Sequence, residues 1–311
     1  MILMFVMYFL MGTVFTATKL GLAHAEPLFF LAVRMILAGV LLVGYVLLFE
    51  REHNIWTARR LFLLILLASF NIYLTNGFEF WAMQYVSSAK ASFLYNLSPF
   101  VSAVLCILFF KEKMAFKKWL GLIIGFLGFI PIFLEDSRAE EGLSGWFFIS
   151  TAEMAMVFAV FATIIGFMIF QRVVTEEGLP PITANAYSTL IGGLFALGHS
   201  LLFEDWSPSP VFGRVDTFLW AVLWTMVASS FLFYNIAGFV LKRFSVTFTA
   251  FCSFMSPFLT AGFSWVLLGE EVGATFFISG LVVFVGLYLF YVEELKAGIR
   301  IKGADESGGK V

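Results

Sequence analysis

Ten stretches of about twenty mostly apolar residues follow one another along this chain, with only short links between them. A helix rises 1.5 Å per residue, so about twenty residues cross the roughly 30 Å hydrocarbon core of a bilayer. The stretches lie near Ile2–Leu22, Pro27–Phe49, Leu61–Trp81, Val86–Phe110, Lys117–Leu134, Trp146–Gln171, Pro181–Phe203, Phe218–Phe239, Ser245–Leu268 and Ala274–Val292. Backbone inside hydrocarbon must satisfy its own hydrogen bonds, which makes each stretch a helix. The expected fold class is an all-α polytopic membrane protein with ten transmembrane helices. Composition agrees: 61% of the 311 residues are apolar and 13% charged, against about 45–50% and about 25% in soluble domains. A soluble core of this length cannot hide so much apolar surface. The 41 Phe residues are read as composition rather than as the lining of a cavity.

Lys and Arg placement sets the expected orientation. With the N-terminus in the cytoplasm, the inner links hold Arg51, Arg59, Arg60, Lys111, Lys113, Lys117, Lys118, Arg172, Lys242 and Arg243. The tail adds Lys296, Arg300, Lys302 and Lys310, which makes 14 inside against Arg138 and Arg214 outside. That split predicts cytoplasmic N- and C-termini, supports the count of ten, and suits a bacterial inner membrane. The first stretch lacks a basic approach and is read as a membrane helix rather than a cleaved leader. Cys106 and Cys252 sit in apolar runs with no metal or redox spacing, as small core residues do. No basic patch sits on a soluble domain, which excludes nucleic acid as a partner. The expected partners are the lipid bilayer and a small-molecule substrate, with the chain a monomer or homodimer and no cofactor.

The two halves of the chain resemble each other. A shift of 158 brings Ser87, Phe93, Ser98, Pro99, Phe100, Ala103, Glu112, Phe126, Gly128 and Glu135 onto identical residues, from Ser245 to Glu293. A shift of 154 brings Leu47-Leu48-Phe49-Glu50 onto Leu201-Leu202-Phe203-Glu204, and Pro27, Ala32, Gly39 and Gly44 onto Pro181, Ala186, Gly193 and Gly198. The expected organisation is a first five-helix repeat over 1–135, a second over 146–293 and a disordered tail over 294–311. Five is odd, so the second repeat enters the membrane upside down. Two inverted five-helix repeats are an architecture of secondary transporters, with substrate held near the midplane. Architecture alone leaves the activity open.

Several segments carry a family likeness: Lys19 at the end of the first helix, PLFFLAVRMILAGVLL in the second, and SPF, FKEK and WLGLIIGFLGF across the fourth and fifth. SPFLTAGFSWVLLGEEV echoes them in the ninth and tenth. Over nearly its whole length the chain resembles the drug/metabolite transporter superfamily, specifically its EamA-like ten-helix carriers. The resemblance implies a central cavity that alternates between the two membrane faces. Members move amino acids, nucleotide sugars, purines, S-adenosylmethionine and other organic solutes. Small multidrug members carry an acid in the first helix for protons and cations. This chain has Lys19 and no acid there, so that mechanism does not transfer.

Five ionisable groups fall within the expected helices: Lys19, Arg34, Glu79, Lys90 and Glu153. Each costs at least ~2.5–3.5 kcal/mol in hydrocarbon unless a partner or water meets it. Three bases and two acids suit an amphoteric solute better than a simple cation. Arg34 can clamp a carboxylate through two hydrogen bonds. Glu79 or Glu153 can hold an ammonium or sulfonium group, or take a proton. The alternative is that these residues pair with one another and lock helices together, or that Lys19, Lys90 and Glu79 reach for the interface. Asn71, Thr75 and Glu79 form a stripe on the third helix; Tyr8, Gly12, Phe15 and Lys19 form one on the first. On the fourth, Ser88, Ser92, Tyr95, Pro99, Ser102 and Cys106 share a face flanked by Asn96, echoed on the ninth by Ser245, Thr249, Cys252, Ser256 and Thr260. Such faces either line a cavity or pack small residues between helices. Gly121 and Gly125 have a packing spacing. Pro99 and Pro257 are candidate hinges, each freeing the carbonyl four residues back, at Tyr95 and Ser253. Tyr95, Phe231, Tyr234 and Phe254 are candidates to stack on a planar substrate, although with 41 Phe residues chance placement is the safer reading.

The function expected from these features is secondary transport of small amphoteric metabolites, amino acids or S-adenosylmethionine-like solutes, by alternating access. Without a nucleotide-binding motif, the driving force is exchange, uniport or protons. A multidrug or organic-cation exporter is the alternative, and a membrane-embedded enzyme a further one. No HExxH, GxSxG or Walker A pattern occurs, His24 and His53 fall in links, and His199 stands alone in the seventh helix. No catalytic residue and no metal ligand is assigned.

Overall fold

The computed structural model describes residues 2–49, 57–110, 116–135, 149–233, 236 and 252–298. Among them none forms a strand, and eight helices are long and apolar enough to cross a membrane. These are α1 (Ile2–Leu22), α2 (Pro27–Phe49), α3 (Ala58–Ala82), α5 (Phe116–Leu134), α6 (Thr151–Thr175), α7 (Pro181–Phe203), α8 (Val215–Phe233) and α10 (Ala274–Val292). The third starts earlier than Leu61 because the Thr57 hydroxyl accepts the Arg60 N–H at 3.3 Å and caps it. The sixth starts later than Trp146, at Thr151, and the eighth begins at Val215 rather than Phe218.

The fourth and ninth stretches are interrupted just ahead of Pro99 and Pro257, the candidate hinges. In the fourth, α4 consists of Ser88–Leu94, a 3-10 turn Tyr95–Leu97 and Ser98–Phe110. In the ninth, α9 runs over Met255–Leu268 after a turn, and ends at Gly269, whose φ of 68° is left-handed. Both breaks sit just ahead of a Ser-Pro-Phe triplet. Positions 237–251, including Ser245 and Thr249, lie outside the described residues, as do Arg51, Lys111, Lys113 and the tail beyond 298. Two spans carry a π-helical stretch, Ala68–Leu74 in α3 and Met226–Phe233 in α8.

The chain divides into two compact units, and each draws on both halves of the sequence. One comprises Ala17–Ser87 and Thr151–Val227. There α2 packs on α7 and α3 on α6. Glycines let backbones touch: Gly39 lies against Leu190 and Gly193 against Ile36, which makes α2 and α7 antiparallel. The Glu204 carboxylate at the end of α7 accepts the Leu28 and Phe29 N–H groups at 2.5 and 2.9 Å, so it caps α2 behind Pro27. At the opposite ends of these helices Arg59 meets Glu177 at 2.7 Å and Arg172 meets Glu176 at 2.8 Å.

The other unit comprises Met1–Thr16, Ser88–Ser150 and Ala228–Val311. Here α5 and α10 run antiparallel, with Gly121 against Phe290, Gly125 against Gly286 and Gly128 against Val283. The packing reading of Gly121 and Gly125 therefore holds. The buried Phe93 ring gathers Phe129, Phe254 and Phe276 around it. Glu270, just past α9, accepts the Ser88 N–H at 3.0 Å and caps α4. Apolar side chains such as Leu48, Phe49, Leu202, Phe203, Trp265 and Val266 remain exposed, as lipid-facing positions do.

Candidate functional site

In the first unit described, Arg34, Glu79 and Glu153 are all buried, at 5%, 9% and 0% exposure. Burial of that degree demands compensation. The Arg34 guanidinium stands 5.7 Å from the centre of the Phe80 ring, a cation–π distance. Phe80 is itself held by Phe30 at 5.3 Å. Glu153 occupies the first turn of α6, where the helix N-terminus favours a negative charge. Glu79 sits in the last α-helical segment of α3, one turn after Thr75.

Lys19 is half-buried in the last turn of α1, and its ammonium donates to the carbonyls of Met83 and Val86, the latter at 2.7 Å. These are the carbonyls at and beyond the end of α3. The side chain thus turns onto backbone at the α3 terminus. Asn71 lies in the π stretch of α3, with its backbone and Cβ against Gly166 of α6. Next along that stripe, Thr75 receives a hydrogen bond from Thr163 of α6 at 3.2 Å. The α3 stripe is in large part a packing seam with α6.

In the second unit Lys90 is buried at 2% exposure and Asn96 at 6%. Asn96 donates its amide to the Ser92 carbonyl at 3.3 Å. Tyr95 is half-buried and meets Phe15 edge-on at 5.6 Å. Phe231 is half-buried in the π stretch of α8. Phe254 is buried among Phe93, Phe258 and Phe284, so its ring fills core space. Tyr234 lies outside the described residues. The small-residue faces of α4 and α9 approach each other, with the Ser92 and Ser256 hydroxyls 3.5 Å apart. In α1, Gly12 packs on Leu259 and Thr260, and Tyr8 clusters with Met4 and Met7. The α1 stripe is packing over this length.

Two expectations are corrected. The carbonyls ahead of Pro99 and Pro257 are not left without a donor. Tyr95 O accepts from the Ser98 hydroxyl at 2.6 Å and from the Ser98 N–H, and Ser253 O accepts the Ser256 N–H at 2.9 Å. The serine of each Ser-Pro pair recaptures the carbonyl that the proline releases. His199 is not alone: its Nδ1 lies 2.6 Å from the Tyr73 hydroxyl. Glu204 and Glu270, outside the expected site set, hold helix starts together. Their signal was in the sequence, since both fall where the internal repeat places a glutamate.

A family model described as the EamA-like transporter family matches residues 1–134 and 150–292. An S-adenosylmethionine/S-adenosylhomocysteine transporter of Chlamydia muridarum is 32% identical over 95% of this chain and 92% of its own length. A probable amino-acid metabolite efflux pump of Salmonella typhimurium is 24% identical over 89% of this chain and 90% of its own. One solved crystal structure shares the fold at a TM-score of 0.61, with 14% identity, covering 94% of this chain and 98% of that one.

Proposed function

This chain belongs to the EamA-like transporter family, and from that premise we propose that it exchanges S-adenosylmethionine for S-adenosylhomocysteine, or closely similar amphoteric metabolites, by alternating access. Transport across a membrane follows from the family; the substrate and the exchange are the proposed part. The observation that carries the substrate is the 32% identity to transporters of that pair over 95% of the chain.

The chemistry fits. S-adenosylmethionine has a carboxylate, an ammonium, a sulfonium and an adenine ring, so its site needs both signs of charge and a flat apolar wall. Arg34 is suited to the carboxylate, because its planar fork binds two oxygens at once. Glu79 and Glu153 are suited to the ammonium and sulfonium. Asn71 is a further polar candidate in the same unit; in the other unit Lys90 and Asn96 are polar candidates and Tyr95 and Phe231 candidates for stacking, to which the sequence adds Tyr234. Lys19 orders the end of α3 in the unit that holds Arg34, Glu79 and Glu153, and Phe254 fills the core of the unit that holds Tyr95 and Phe231. The α4 and α9 breaks at Pro99 and Pro257 act as hinges.

A ten-helix, two-fold inverted arrangement is part of the proposal, with repeats over 1–135 and 146–293, a tail over 294–311 and both termini cytoplasmic in a bacterial inner membrane. Reciprocal contacts support it. Gly39 packs on Leu190 while Gly193 packs on Ile36, and each repeat pair is 154 apart. Gly128 packs on Val283 while Gly286 packs on Gly125, and these pairs are 158 apart. Contacts of the form i on j and j on i are what a two-fold axis produces. The π stretches begin at Ala68 and Met226, again 158 apart.

Binding to the purified protein tests the substrate. Calorimetric titration is expected to detect S-adenosylmethionine and S-adenosylhomocysteine, with methionine and adenosine alone each at least tenfold weaker. Heat from tetraphenylphosphonium and none from either adenosyl compound would contradict the reading and favour an organic-cation exporter.

A further inference from the structure

A cavity of about 680 Å³ lies on the side of α3 and α6 turned away from Glu79 and Glu153. At helical spacing, Tyr73, Gly77 and Trp81 of α3 share one face and Thr75 and Glu79 the opposite one. Likewise on α6, Thr151, Ala155 and Phe158 line the cavity, while Glu153 points elsewhere. This space is therefore separate from the buried charges of the proposed transport site. Its wall is aromatic and open sideways: Phe78, Phe158 and Phe203 line it and are 37%, 54% and 75% exposed. An apolar wall exposed at membrane depth faces lipid chains rather than water.

The rim has the opposite character. Glu26, Glu204 and Asp205 border the cavity, and no Lys or Arg is among the residues lining it. Glu204 is occupied in capping α2. Asp205 is exposed and fixed by the Ser207 N–H at 2.9 Å. Glu26 is held on a short paired link, its N–H donating to Pro210 O at 2.9 Å. Burial first, and then the neighbouring Glu204 and Asp205, push the Glu26 carboxyl above its usual range. Gln84 and Thr151, also on the wall, are hydrogen-bond donors.

We propose that this lateral cavity is a binding site for a phospholipid with a primary-ammonium headgroup. Its acyl chain lies along Phe78, Phe158 and Phe203, its ammonium meets Glu26 and Asp205, and its phosphodiester accepts from Gln84 and Thr151. A bilayer lipid rather than a dissolved cation fits because the apolar wall is reached from the side. An anionic headgroup is repelled by the same carboxylates.

Native mass spectrometry of the full-length protein, titrated with phosphatidylethanolamine, phosphatidylglycerol or phosphatidylcholine of identical chains, tests this. Phosphatidylethanolamine is expected to be retained about fivefold better than phosphatidylglycerol, the scale of two partly exposed charge pairs. It is also expected to exceed phosphatidylcholine, which has the charge without N–H donors. The Glu26→Gln/Asp205→Asn variant should lose the preference while eluting as a single species and transporting substrate as before. Phe158→Ala, which leaves the carboxylates intact, should shorten retention of every lipid. Equal retention of ethanolamine and glycerol lipids, or a preference that survives the double variant, overturns the proposal. So does displacement only by a soluble hydrophobic cation with no lipid held in its absence.

Discussion

Lys19 and Arg34 look alike in the sequence, as basic residues inside apolar runs, yet the structure separates them. Lys19 donates to two carbonyls at and beyond the end of α3, so Lys19→Met should lower the melting temperature, at a cost of about 1.5–3 kcal/mol for each charged hydrogen bond. The KM of folded protein should stay within about twofold of the original. Arg34→Ala and Glu79→Gln should instead reduce transport by more than tenfold, the scale of a lost charged contact, with folded yield preserved; loss of folded protein in both would assign them to helix locking. The Glu26 carboxyl is raised by burial, then by Glu204 and Asp205. A carboxyl raised in the folded state makes that state bind more protons, so its contribution to stability falls as pH rises through the shifted range. Glu26→Gln is therefore expected to raise the melting temperature at neutral pH, with the gain disappearing below its ordinary value of 4.5. That all five ionisable groups sit inside helices was legible in the sequence. Their partners were not, because Met83 and Val86 offer backbone carbonyls that no side-chain pattern marks.

At the level of elements, hydropathy located eight spans well, since bilayer thickness fixes how long each apolar run must be. It could not see what happens within them. The 3-10 turn at Tyr95–Leu97 and the turn before Met255 arise from hydrogen bonding around Ser98 and Ser256. The π stretches likewise leave no hydropathic trace. Helix contacts follow glycines. A Cβ on Gly286 would lie 2.4 Å from the Gly125 nitrogen, and one on Gly39 2.7 Å from Leu190 Cα. Gly286→Ala and Gly39→Ala should each cost about 1–3 kcal/mol through forced separation of helices. Gly44→Ala, with nothing within 4 Å, should be neutral or slightly stabilising. Thermal unfolding in detergent, read by tryptophan fluorescence, distinguishes the two groups.

For the whole molecule, the proposed inversion rests on the odd number of helices expected per repeat. The grouping into two units, each mixing both halves, was not legible, because it depends on tertiary pairs such as α2 with α7 and α5 with α10. The class of amphoteric metabolites was legible in the mixed set of charges together with the family resemblance; the relatives narrow it to the proposed pair. The proposed exchange has an electrical consequence. S-adenosylmethionine carries one net positive charge at neutral pH and S-adenosylhomocysteine none, so each inward turnover on S-adenosylmethionine moves one charge. A potential of 100 mV, inside negative, adds about 2.3 kcal/mol of driving force. The most direct test is uptake of labelled S-adenosylmethionine into proteoliposomes preloaded with S-adenosylhomocysteine. The account predicts saturable uptake that requires internal substrate and quickens when a potassium diffusion potential makes the interior negative. Uptake indifferent to the internal pool, or absent from demonstrably folded protein, would contradict it.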